Sequence, residues 1–146
     1  MAFHFPLAAV LRYRESIEQR EYLALESIQR DIIRVETLIR EVEEAHSVAI
    51  QNRAKDLTRG SRAGEIQSDY QYQKTLEQRR GAQESLLMEL RIRWRQQLAS
   101  YDLARRNRET LDKLREKQLD AFNREQTKRE QNILDDLFLS RRGRRN

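Results

Sequence analysis

His4 and His46 are the only imidazoles in this chain of 146 residues, and no cysteine accompanies them. Glu43 and His46 stand in a Glu-x-x-His spacing, which puts two ligands on one face of a helix. Di-iron bundles use that spacing, but they need a second such pair on another helix, and this chain has none. There is also no G-x-x-x-x-G-K loop to cradle phosphate and no G-x-S-x-G turn to present a nucleophile. His46 is therefore expected to face solvent or be partly buried. The 24 carboxylates are expected to form a solvated helix face and not a paired acid and base. The reading is of a non-enzymatic protein with no metal, no cofactor and no small-molecule substrate. The absence of cysteine excludes disulfides and thiolate metal sites, and is compatible with a reducing compartment.

Charge is the next feature that could carry chemistry. The net charge is +5, and residues Arg141, Arg142, Arg144 and Arg145 supply four of those charges in a short tail. Such a tail could hold phosphate groups through counterion release, which gives a nucleic-acid-associated protein as a competing reading. Nearly balanced charge along the remainder argues against it, because a nucleic-acid binder concentrates its basic residues on one face. The tail is expected to be a solubilising end, with no nucleic acid as partner. No run approaches the roughly 18 apolar residues of a membrane span, and the first eleven residues lack the pattern of a secretory signal. A cytoplasmic location is expected.

Two helices would have to position these groups. With 36% charged and 38% hydrophobic residues and a mean hydropathy of −0.95, there is too little apolar surface for a thick core, but enough for a seam between two helices. Leu87, Leu90, Trp94, Leu98, Tyr101, Ala104, Leu111, Leu114, Gln118 and Phe122 recur every three or four residues, as one stripe along a helix does. A second stripe runs through Leu7, Val10, Leu11, Ile17, Ala24, Leu25, Ile28, Ile32, Val35, Leu38, Ile39, Val42, Ala45 and Ala49, interrupted by Arg14 and Glu21. Pro6 suits the first helical position, and no proline follows it. The only turn-like cluster is Thr58 to Gly64, in which Gly60 can take the left-handed conformation that ends a helix.

The fold class predicted is all-α: a long antiparallel two-helix coiled-coil hairpin forming a single unit over residues 1–146. Helix one spans about 6–57, the turn about 58–65, helix two about 65–139, and the basic tail 140–146. A second helix of that length would be roughly 110 Å long, a rod. A turn near residue 61 places residue i beside about 122 minus i, so that Ile28 meets Trp94 and Val35 meets Leu87. Residues beyond about 115 then have no partner helix. This overhang carries Leu119, Phe122, Ile133, Leu134, Leu137 and Phe138 as an apolar face with no internal surface to bury it. Near the turn, Tyr70, Tyr72 and Leu76 oppose only Ala45, Ala49 and polar residues, and their apolar surface is expected to be available to another protein.

The opening Phe3-x-Phe5-x-Leu7-x-x-Val10-Leu11-x-x-Arg14 resembles the start of the FliJ family, small proteins of the flagellar type III export apparatus. Leu111-Asp-Lys-Leu114-Arg-Glu-Lys-Gln118, followed by Lys128-Arg-Glu-Gln131-Asn-Ile-Leu134-Asp-Asp136, is similar to the family's C-terminal signature. The resemblance implies a coiled coil similar to the central stalk of rotary ATPases. It also implies three partners: the hexameric export ATPase, the cytoplasmic region of the export-gate membrane protein, and export chaperones. The location it implies is cytoplasmic, peripherally associated with the inner-membrane export apparatus. By position in the family, Leu38, Val42, Tyr72 and Leu76 are the expected gate contacts. Phe3, Phe5, Leu119, Phe122, Ile133, Leu134, Leu137 and Phe138 are the expected ATPase contacts, since rotary stalks place their chain termini in the ring. A stalk of a virulence-type secretion system is the physically equivalent alternative.

Overall fold

A computed structural model describes residues 2–60 and 62–145, with Arg145 described only by its backbone. Ser61 of the expected turn and the side chain of Arg145 in the basic tail lie outside the described residues. Two long helices pack against each other, α1 (Ala8–Arg59) and α2 (Ala63–Arg145), and the described residues contain no strand. Pro6 and Leu7 make the turn that leads into α1. The Ala8 N–H donates to the Phe5 carbonyl at 3.1 Å and the Leu11 N–H to the Leu7 carbonyl at 2.9 Å. Pro6 thus lies where a helix has no use for its missing N–H.

α1 stops at Gly60, whose φ of 81° is the only positive value among the described residues. A side chain there would be strained even though nothing lies within 4 Å of the position a Cβ would take. α2 then begins at Ala63, two residues before the expected Glu65, because the Arg62 carbonyl accepts the first bonds, from the Glu65 N–H at 3.0 Å and the Ile66 N–H at 3.2 Å. At its other end α2 continues past the boundary expected at residue 139 to Arg145. Arginine is a good helix former and a single glycine, Gly143, does not stop a helix already under way.

Contacts divide the chain into two units, Glu21–Tyr101, and Met1–Arg20 with Asp102–Asn146. In the first, Ile32, Val35, Leu87 and Leu90 form the buried core, with Ile28, Ile39 and Trp94 packed around it. These residues recur at intervals of three and four on each helix, so each helix turns the same stripe inward. Full burial of each such side chain contributes roughly 1.5–3 kcal/mol. Pairs across the core run in opposite directions along the two helices. Arg91 lies 3.7 Å from Glu36, Arg80 3.1 Å from Glu43, and the rings of Tyr101 and Tyr22 are centred 5.8 Å apart. The last two pairs fall one residue from the sequence rule of 122 minus i. Glu21, a polar interruption of the apolar stripe, accepts hydrogen bonds from the Gln97 amide on both its backbone carbonyl, at 3.0 Å, and its carboxylate.

Gly81 is the one glycine well inside a helix of this unit, and nothing lies within 4 Å of where its Cβ would sit. Gly81→Ala is therefore expected to raise stability by about 1 kcal/mol, by removing backbone freedom from the unfolded chain. Urea denaturation of both proteins measures it, and an unchanged or lower midpoint would mean that the open space is used by something else.

In the other unit Phe5, Leu11 and Ala104 are buried. The guanidinium of Arg108 grips the Glu18 carboxylate with Nε and Nη2, and reaches Asp112 one turn on through Nη1 at 2.7 Å. These bonds, Glu18 first, raise the Arg108 pKa above its ordinary value, so the side chain stays charged. The expected seam is incomplete here. Leu7, Val10 and Leu114 are exposed, and Val10 lines an open groove with Arg14, Asn107, Thr110 and Leu111.

Candidate partner-binding surfaces

The Glu-x-x-His pair is engaged in bonds across the two helices. The Glu43 carboxylate receives Arg80, which also holds Glu84 at 3.0 Å, and His46 Nε2 lies 3.5 Å from Glu77. Among the described residues no group of three or more His, Asp or Glu side chains could hold a metal ion. His46 is partly buried, within the range expected for it. Both residues act as polar clamps on the flank of the apolar core.

Close to the turn the structure separates the four residues expected to contact the export gate. Tyr72 is exposed, as is Tyr70 beside it, and Leu38 is exposed at the edge of the core. Val42 is half-buried. Leu76 is a correction to the reading of an available surface, because it is only 3% exposed. The pairing of His46 with Glu77 puts Ala45 and Ala49 next to it in register, and side chains that small leave room for a leucine to turn inward. One turn away, Arg53 donates to the Gln73 side-chain carbonyl at 3.3 Å. The accessible residues are thus Tyr70 and Tyr72, about 160° apart around α2, and Leu38 on α1, well back from the turn.

The eight residues expected at the ATPase end divide into two sets. Phe5 is buried, Phe3, Leu119 and Phe122 are half-buried, and the rings of Phe3 and Phe122 are centred 5.6 Å apart at a tilt of 53°. Leu119 and Phe122 were expected to lack an internal partner. The segment before α1 provides one at Phe122, because Phe3 continues the antiparallel pairing beyond the first helical turn. Ile133, Leu134, Leu137 and Phe138 are the second set, 54 to 65% exposed. Leu134, Asp135, Leu137, Phe138 and Arg141 line one shallow groove there, and Phe138 lines another with Arg141, Arg142 and Arg144. Sequence reasoning did not include Leu139, also exposed, which lies off the stripe formed by the other four.

The fold is that of an all-helical protein whose two long helices leave apolar side chains open near the turn and near the end of α2. The particular family follows from comparison: the model described as flagellar FliJ protein matches residues 3–146, and the chain belongs to the FliJ family. It is therefore a protein related to flagellar type III export, and the family is a non-enzymatic component of that apparatus. No curated protein and no solved structure matches the chain. Among the described residues no helix is long and apolar enough to cross a membrane.

Proposed function

We propose that this protein is the stalk and escort of the flagellar export apparatus, an antiparallel coiled-coil hairpin that links the hexameric export ATPase, the cytoplasmic region of the export-gate protein and the export chaperones. The observation that carries this reading is the family match across residues 3–146. It supports a flagellar stalk over one of a virulence-type system. The exposed face of Ile133, Leu134, Leu137 and Phe138 supports an ATPase contact near the end of α2, and Tyr70 and Tyr72 support a gate contact near the turn, with Leu38 farther back on α1 at the edge of the core. Phe3, Phe5, Leu119 and Phe122 serve that ATPase contact indirectly, by holding α2 where the open face begins. Work in the cytoplasm, at the inner face of the membrane, follows from this role.

The test is capture of purified ATPase and purified gate fragment by the tagged chain. Both should be retained. Tyr70→Ala with Tyr72→Ala should weaken gate capture about tenfold or more, as expected for aromatic anchors, and leave ATPase capture and helicity as they were. Failure to retain either partner would remove the stalk reading. Gate binding that survives loss of both tyrosines would move that contact elsewhere.

A further inference from the structure

The exposed face near the end of α2 has an order along its length that specifies an occupant. At about 100° per residue, Ile133, Leu134, Leu137 and Phe138 share one side of the helix. Glu130 and Arg141 fall on the middle of that same side, one turn before the apolar group and one turn after it. Both are exposed, and neither forms an ion pair among the described residues. They cannot pair with each other, since eleven residues of helix separate them by about 16 Å. The stripe therefore has an acid, four apolar side chains and a base, and this order is complementary to its own reverse.

We propose that a second copy of this chain occupies this face when no other partner does. Laid antiparallel with Leu134 opposite Leu137 of the other copy, the two stripes bring Ile133 opposite Phe138 and Glu130 opposite Arg141. All of these matches occur twice about one two-fold axis, the geometry of an isologous dimer. Two ion pairs close the ends, and the apolar side chains between them leave water together. An anionic membrane fits less well, because a helix that lies on one carries an excess of basic residues on its polar side, and here Asp135 and Asp136 offset Lys128 and Arg129 on that side. About three turns of paired helix bury less than the roughly 1,200 Å² of a stable interface, so the dimer is weak and gives way to a tighter partner. The inference does not rest on assigning this face to the ATPase, which would compete for it.

Sedimentation equilibrium of the full chain alone, from about 5 to about 500 µM, spans the range of weak contacts. The average mass should climb from 17.6 kDa toward twice that value. Glu130→Arg alone and Arg141→Glu alone should each move the midpoint to about tenfold higher concentration or more, because each sets like charges together. The two reversals combined should bring it back to within about threefold of wild type, a coupling that only a direct pairing produces. Both positions are exposed, and unchanged circular dichroism shows that the variants fold. A single mass over the whole range overturns the proposal. So does association that the combined reversal fails to restore, or sedimentation with phosphatidylglycerol vesicles in place of self-association.

Discussion

Leu134→Ser, Leu137→Ser and Phe138→Ser together are expected to reduce capture of the export ATPase by about a hundredfold or more, with the melting temperature of the chain unchanged within about 2 °C. Apolar anchors at the centre of an interface contribute about 2 kcal/mol each or more, so losing three removes most of a micromolar affinity. Stability is spared because these side chains are more than half exposed already and little packing is lost. Replacing Arg141, Arg142, Arg144 and Arg145 by Ser should have a smaller effect, evident at low salt and screened away near 0.15 M ionic strength. Phe5→Ala should behave in the opposite way, lowering the melting temperature first, because Phe5 is buried. Titration calorimetry against the ATPase and thermal melts separate these outcomes. Normal binding by the triple variant, with loss of binding in the four-Ser variant, would make the contact electrostatic and leave the apolar face without this role.

The other large effect lies in the core of the unit Glu21–Tyr101. Leu87→Asp is expected to lower stability by about 4 kcal/mol and the melting temperature by on the order of 10 °C or more, since it places a charge among Ile32, Val35 and Leu90 with no partner to neutralise it. Met88→Asp, one residue on, should change stability by no more than about 0.5 kcal/mol, because Met88 is exposed to solvent. The contrast between neighbours makes the experiment a test of which helix face is inward. Equal melting curves for the two variants would place the core on another stripe. Far-ultraviolet circular dichroism through a thermal ramp reads both.

The family lay within reach of the sequence because its terminal motifs survive as strings of residues, independent of how the chain folds. Helix number and the inward stripe were legible for a related reason. Apolar spacing of three and four residues, a proline at the start and a single glycine-bearing turn each act locally, so they do not depend on what lies across the molecule. One turn between two helices also set the register to within a residue at Glu43 with Arg80 and Tyr22 with Tyr101. Coverage is different, since a stripe residue is hidden only when a neighbour of the right size faces it. Leu76 turns inward beside the small Ala45 and Ala49, where periodicity and composition suggested an open surface. Phe122 is met by Phe3 from a segment that is not helical, so no count of helical turns could have included it. Glu43 and His46 share a face in any helix, yet only the opposing helix, with Arg80 and Glu77 at that height, gave them their polar partners. The sequence alone thus determined the elements and their inward faces. Tertiary structure decided which apolar side chains remained free for another protein, because that depends on volume and charge brought together from distant parts of the chain.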